Sequence, residues 1–180
     1  EVAAKFFEVL LRRFPDYTPG YLTRSQMYLE MKDTTSAMAD LNKAISIDPY
    51  TSQSFAARGV LHLQQQKYND ALADLDEAIR LDPYFEGNYI NRGLVKYHLN
   101  DLRGAMADYD RVIETDDNNL IARFNRGLLR AQVADNNRAI SDFDKVIELE
   151  PDNTIAYLNR AMLYNETGNR EAALADLNVV

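Results

Sequence analysis

YNDALADLDEAIRLDP, residues 68–83, is the stretch on which the fold turns. Ala71, Leu72, Leu75, Ala78, Ile79 and Leu81 recur at helical spacing and make one amphipathic stripe. Pro83 ends the helix, because proline pushes the residue before it out of the α region. The stretch belongs to a series. Ala3, Ala37, Ala71, Ala105, Ala139 and Ala173 stand on a strict ladder of 34 residues. Asp40, Asp74, Asp108, Asp142 and Asp176 keep the same step, as do Arg24, Arg58, Arg92, Arg126 and Arg160. Pro15, Pro49, Pro83 and Pro151 also fall on one register, and the missing mark at 117 is Asp. A fixed period of this length is the signature of a repeat architecture.

Counting each Pro as repeat position 32 divides the chain into a leading segment 1–17, full repeats 18–51, 52–85, 86–119 and 120–153, and a partial repeat 154–180. Each repeat carries two helices. The second is the kind quoted above. The first is exemplified by SQSFAARGVLHLQQQ, residues 52–66, with Phe55, Val60, Leu61 and Leu63 at helical spacing. Helices of about 13 residues are marginal alone, so packing must hold them. Capping is expected from Thr18 with Pro19 at the first helical position, and later from Thr51 or Ser52, Asn119 and Asn153. Repeat position 8 holds Ser25, Gly59, Gly93, Gly127 and Ala161. Glycine inside a helix costs roughly 1 kcal/mol, so small residues there imply close helix approach.

Composition sets outer limits. The 180 residues are 46% apolar and 27% charged, too apolar for intrinsic disorder. No run of about 18 apolar residues occurs, so no membrane-spanning segment is expected. Twenty basic against 28 acidic residues give a net charge of −8, the wrong sign for a phosphate-binding groove, so no nucleic acid partner is expected. Cysteine is absent, which removes disulfides, thiol catalysis and thiolate zinc sites. The chain opens EVAAKFF and closes LADLNVV without start or stop signals, so both ends read as cuts within a longer array.

The 34-residue period, the small residue at position 8, Ala at 20, an aromatic or Leu at 24 (Leu41, Leu75, Tyr109, Phe143, Leu177) and Pro at 32 resemble the tetratricopeptide repeat. The resemblance covers the whole chain, with Ala3 and Phe7 placing residues 1–17 as the second helix of a preceding repeat. The style of the Asn-Arg-Gly and Ala-Leu-Ala-Asp-Leu segments, with Arg at position 7 and Asp at 23, resembles bacterial members. Two departures are local. The family's frequent Trp at position 4 is Tyr21, Phe55, Tyr89, Arg123 (with Phe124 beside it) and Tyr157; Asp117 replaces Pro, suggesting a looser turn there. The resemblance implies an all-α fold: a right-handed superhelical solenoid of antiparallel helix pairs, whose first helices line a concave groove that binds peptides or protein segments.

Arg at position 7 and Asp at position 23 sit on the two antiparallel helices of a repeat. We expect a structural row of Arg–Asp pairs, such as Arg92 with Asp108, since a buried guanidinium needs a partner. Pairing with the Asp of a neighbouring repeat fits the spacing equally, and a basic binding stripe is the functional alternative.

Family geometry turns positions 2, 5, 6, 9, 12 and 13 toward the groove. Those positions read as nearly neutral here. Candidate peptide-binding residues are Asn91, Asn125 and Asn159 at position 6, Tyr97, His98, Gln132 and Asn165. An amide offers donor and acceptor together, so one Asn per repeat could meet a peptide backbone about every third residue. This resembles the asparagine ladder of the O-GlcNAc transferases. The other reading is that these amides are solvated or bond their own backbone. At positions 5 and 9, apolar residues such as Leu22, Val60, Leu94 and Leu128 read as core before ligand contact. The two-carboxylate clamp of chaperone adaptors is missing: no repeat has Lys at position 5, and position 2 is Pro19, Gln53, Gly87, Ile121 and Ile155. A heat-shock protein tail is therefore not an expected partner.

Catalytic patterns are missing too. His62 and His98 are the two histidines, at repeat positions 11 and 13; His62 reads as a partly buried packing residue. Asp108/Asp110 and Asp142/Asp144 are i, i+2 pairs on different helix faces, read as one structural and one solvated acid each. The acids at 116 and 117 lack the ligand series of a calcium loop. The expectation is a non-catalytic interaction scaffold with no metal and no cofactor. Self-association through the array ends, or a regulatory arm of a larger enzyme, are the other readings.

Overall fold

The computed structural model describes residues 2–180, with side chains from residue 5 onward, so Ala3 lies outside the described side chains. Among the described residues the chain is all helix: α1 (Val2–Arg13), α2 (Thr18–Glu30), α3 (Thr34–Ile47), α4 (Ser52–Gln64), α5 (Tyr68–Leu81), α6 (Glu86–His98), α7 (Leu102–Thr115), α8 (Leu120–Gln132), α9 (Asn136–Leu149), α10 (Thr154–Glu166) and α11 (Arg170–Leu177). The architecture is an all-α helical-repeat solenoid, and it divides into two compact units, residues 1–99 and 100–180.

Hairpin packing follows from the alanine ladder. Ala37, Ala71, Ala105 and Ala139 are fully buried and Ala173 nearly so. In the first unit α2 packs on α3, α4 on α5, and α6 on α5; in the second, α8 packs on α7 and α9, and α10 on α9 and α11. Position 8 is small for a steric reason. A Cβ on Gly59 would stand 2.9 Å from the Leu75 side chain, and one on Gly127 would stand 3.1 Å from the Phe143 ring. Those partners, Leu75 and Phe143, are fully buried position-24 residues. The first unit's core gathers around Leu41 and Leu61, and around Leu75 and Val95. The second unit's core centres on Phe143, Val146 and Ile147.

The turn inside each hairpin is a left-handed cap. Lys32, Gln66, Asn100, Ala134 and Gly168 all have positive φ, from 59° to 84°. Where the full motif is seen, the next residue closes a long backbone bond. Asp33 N donates to Tyr28 O at 2.8 Å, and Asp135 N donates to Arg130 O at 2.8 Å. This is the pattern that normally calls for glycine at that position.

Helix starts correct part of the sequence reading. Asn119 and Asn153 do cap, accepting from Ala122 N and Ala156 N at 3.0 Å each. Thr18 does not, because α2 begins one residue earlier than expected, with Tyr17 in the cap position and no side-chain cap bond. Thr51 stands at the cap of α4, but its hydroxyl donates to the Asp48 carboxylate at 2.6 Å, and the Ser52 hydroxyl donates to Ala78 O. The turn at Asp117 is not loose either. The Arg123 guanidinium donates to Asp117 O at 2.7 Å and to the Asp117 carboxylate, while Asp116 accepts from Asn118 N.

Candidate functional site

Arginine at position 7 ties together the hairpins α2–α3, α4–α5, α8–α9 and α10–α11. Arg24 donates through Nε and Nη2 to both oxygens of Asp40, at 2.7 and 2.6 Å. Arg58 holds Asp74 in the same fork, Arg126 holds Asp142 and Arg160 holds Asp176. The aspartates are at least nine-tenths buried, and two parallel charge-assisted bonds are the geometry that compensates such burial. Arg92 lies in the first unit and Asp108 in the second.

Four of the five arginines reach an acceptor in the preceding repeat. Nη1 of Arg58 donates to Asn42 at 2.8 Å, that of Arg92 to Asp76 at 2.8 Å, that of Arg126 to Asp110 at 2.8 Å and that of Arg160 to Asp144 at 2.6 Å. These acceptors stand at position 25 of the preceding repeat. So Asp110 and Asp144 are not merely solvated, as their spacing suggested: they face away from the buried Asp of their own repeat and toward the arginine of the next. The neighbouring-repeat contact is made not to the ladder aspartate at position 23 but to the residue two places on, through a different nitrogen of the same guanidinium. The hydrogen bond to Asp40 raises Arg24 above the usual guanidinium value against the opposing effect of burial. Burial works to lower Arg126, but its bonds to Asp142 and Asp110 overcome that and leave it raised.

Aromatic rings flank the guanidinium. Arg24 lies over Tyr21 and Tyr28, and Arg160 over Tyr157 and Tyr164, at 5.4–5.7 Å from the ring centres. The helix α8 departs from this. It carries Arg123 and Arg130 at the aromatic positions, and all three arginines converge on Asp142, whose side chain is only 1% exposed.

The candidate peptide-binding residues distribute between the units. In the first, Asn91 is half-buried, and Tyr97 and His98 are exposed. His98 stacks on Tyr68 at 4.7 Å and meets Tyr97 edge-on at 5.5 Å, which joins the end of α6 to the start of α5. A pocket of about 610 Å³ opens between α2 and α4, lined by Leu22, Thr23, Gln26, Leu29, Glu30 and Gln53. Apart from Ser25 at position 8, its lining residues stand at the positions family geometry turns toward the groove. In the second unit, Asn125 is half-buried and Gln132 exposed. Asn159 donates through Nδ2 to Ile155 O at 2.8 Å, so its own helix occupies that donor. Asn165 lines a pocket of about 340 Å³ with Met162, Arg170 and Leu174.

Sequence reasoning missed one feature here. Ile121, Leu128, Ile155, Leu158 and Met162 are exposed, between 39% and 61% of their surface. Position 2 entered only as lacking the clamp, and Leu128, Leu158 and Met162 stand at positions read first as core. The absence of any Lys or Arg at positions 2, 5, 6 and 9 was the signal that could have found them.

His62 is largely buried, with Nε2 3.7 Å from the Asp74 carboxylate. Among the described residues no group of three metal-binding side chains comes together, and no helix is long and apolar enough to cross a membrane.

Tetratricopeptide repeat profiles match residues 52–85, residues 18–51 and 121–153, and residues 143–175. No curated protein matches the chain. Among solved structures it is similar to YrrB, described as a TPR protein with an unusual peptide-binding site, at 23% identity and a TM-score of 0.82 over 98% of this chain and 91% of that one. It is similar to MamA from Desulfovibrio magneticus at 15% identity and a TM-score of 0.83, covering 89% of this chain and 91% of the other. A tetratricopeptide repeat protein from Parabacteroides merdae matches at 20% identity and a TM-score of 0.82, over 97% of this chain and 70% of that one. With the repeat profiles on most of its length and the paired helices they describe in place, the chain belongs to the tetratricopeptide repeat family, whose members are helical-repeat interaction scaffolds.

Proposed function

We propose that the chain is a non-catalytic scaffold that holds a peptide or protein segment on the groove faces of its first helices. One observation carries the reading. Ile121, Leu128, Ile155, Leu158 and Met162 stand uncovered on α8 and α10, with amides beside them and no cation at the neighbouring groove positions. Solvent-facing apolar side chains gathered on two successive first helices support an interaction surface there, because folding alone does not need them. The pocket between α2 and α4 gives the first unit a comparable recess with an apolar floor and an amide rim. YrrB, which shares the fold, is described as having a peptide-binding site.

Asn91, Asn125 and Asn159 act in this reading as backbone readers. Asn159 keeps its carbonyl oxygen for a peptide N–H while its amide N–H stays on Ile155. Peptides selected from a random library against the whole chain should bind it and lose at least tenfold in affinity when the three asparagines become Ala. Selected peptides that bind the variant equally well would remove the asparagines from the site.

Self-association through the array ends is the second reading. Phe6 and Val9 on α1, and Leu174 and Leu177 on α11, are 48–67% exposed. Sedimentation across a concentration series tests it: a mass that rises with concentration supports the second reading, and a constant monomer mass rejects it.

A further inference from the structure

The turns that join one repeat to the next in the first unit display aromatic rings outward. Tyr50 is 77% exposed, Tyr84 84%, Phe85 57% and Tyr17 47%. The turn itself does not need them. Asp48 accepts from Tyr50 N at 3.0 Å and Asp82 from Tyr84 N at 3.1 Å, and Asp116 makes the same bond to Asn118 N at 3.0 Å with a polar residue in the tyrosine's place. Tyr17 and Phe85 occupy helix cap positions without a cap bond, where Asn119 and Asn153 make one. Glycines lie against their rings: a Cβ on Gly20 would stand 2.8 Å from both the Tyr17 ring and the Leu11 side chain, and one on Gly87 would stand 2.8 Å from the Phe85 ring. Two cap bonds are thus given up, each at a cost in stability, where the rings stay half in solvent.

We propose that these turns form a docking ridge for a proline-rich, arginine-bearing segment of a partner protein in the polyproline II conformation. Two observations select that occupant. Main-chain pairing is closed: the tyrosine N–H groups are held by Asp48 and Asp82, and the Tyr21 and Tyr89 hydroxyls donate to Pro15 O and Pro83 O. An added strand would find few partners, whereas a polyproline helix has no internal hydrogen bonds and presents carbonyls that the exposed Tyr50 and Tyr84 hydroxyls can reach. Charge agrees as well. Asp16, Asp48, Asp82 and Glu86 outnumber the cations at the ridge, Arg13 over the Phe14 ring and Arg80, which Glu77 holds, so arginines between the prolines would find both carboxylates and rings.

The test is fluorescence anisotropy with a labelled peptide of repeated Arg-Pro-Pro-Pro units. Saturable binding is expected, weaker by about tenfold when Tyr50→Asn and Tyr84→Asn are combined, and weaker when the peptide's arginines become glutamate. Both substitutions copy polar residues the protein already tolerates at such turns, and an unchanged melting temperature confirms folding. The proposal is overturned by an absence of saturable binding, by equal binding of a Gly-Ser peptide with the same arginines, or by full affinity in the tyrosine variant. It is overturned equally if changing Asn91, Asn125 and Asn159 to Ala abolishes binding while the tyrosine variant keeps it, since the peptide would then sit in the groove. The groove reading stands or falls on its own selected peptides.

Discussion

At the scale of single residues, Asp142 is the most constrained charge in the second unit. Its carboxylate is 1% exposed and receives Arg123, Arg126 and Arg130. Removing it would leave three largely buried guanidinium groups without their common acceptor. We expect Asp142→Ala to destabilise the fold by about 3–5 kcal/mol, measured by urea unfolding. The half-exposed Asp144 should cost about 0–1 kcal/mol when replaced, because solvent screens its bond to Arg160. Equal losses at both positions would contradict the assignment of Asp142 as the hub. Asn88 makes the opposite prediction. It is 1% exposed and neither amide atom has a hydrogen-bond partner. The equivalent residues in the second unit are Ala122 and Ala156, both fully buried. Asn88→Ala should therefore raise stability by about 1–3 kcal/mol. A lower unfolding midpoint would show that the amide has a partner after all.

At the scale of helices and turns, the caps carry the testable claims. Ala134 holds φ at 60° without being glycine. A left-handed L-residue costs roughly 1 kcal/mol, so Ala134→Gly should stabilise by up to about 1 kcal/mol, less the entropy glycine gains in the unfolded chain. The acid limb of stability should follow Asp48 and Asp33. The Thr51 hydroxyl, then the Tyr50 N–H, hold Asp48 below its ordinary value of 3.8; the Ser36 side chain and N–H do the same for Asp33. A depressed folded pKa gives stability that is complete above about pH 4 and is lost as pH falls through the folded value. Melting temperatures should drop below about pH 4 in the wild type, and Asp48→Asn with Asp33→Asn should flatten that decline. An unaltered slope would mean the two carboxylates contribute nothing to it.

At the scale of the whole molecule, what could be read in advance was whatever repeats with the chain itself. Proline and alanine at a 34-residue step predict a helical hairpin per period, and the first helices do begin at Thr18, Ser52, Glu86, Leu120 and Thr154. Arginine and aspartate on the same step predict that the two chemistries meet. Which second acceptor each arginine finds was not legible. Asn42, Asp76, Asp110 and Asp144 become neighbours only through the stacking of one hairpin on the next. The left-handed turns were hidden for another reason: Lys32, Gln66, Asn100 and Ala134 carry no glycine signal, and the fold imposes the conformation on them. The cap expected at Thr18 fell one residue away because local propensity favours Thr, Ser or Asn at such places, whereas Tyr17 takes the position without a cap bond. Of the candidate site, the amides and the neutral groove positions could be named, but the exposure of Leu128, Leu158 and Met162 depends on helix rotation that periodicity does not resolve.

The claim that most needs testing is that the first helices hold a peptide or protein segment. The direct measurement is the affinity of library-selected peptides for the whole chain beside a variant with Leu158→Asp and Met162→Asp on the exposed face of α10. A buried carboxylate against an apolar ligand should weaken binding by at least tenfold, with the melting temperature little changed because both side chains face solvent. A library that yields no binder, or binders whose affinity is the same for both proteins, would contradict it.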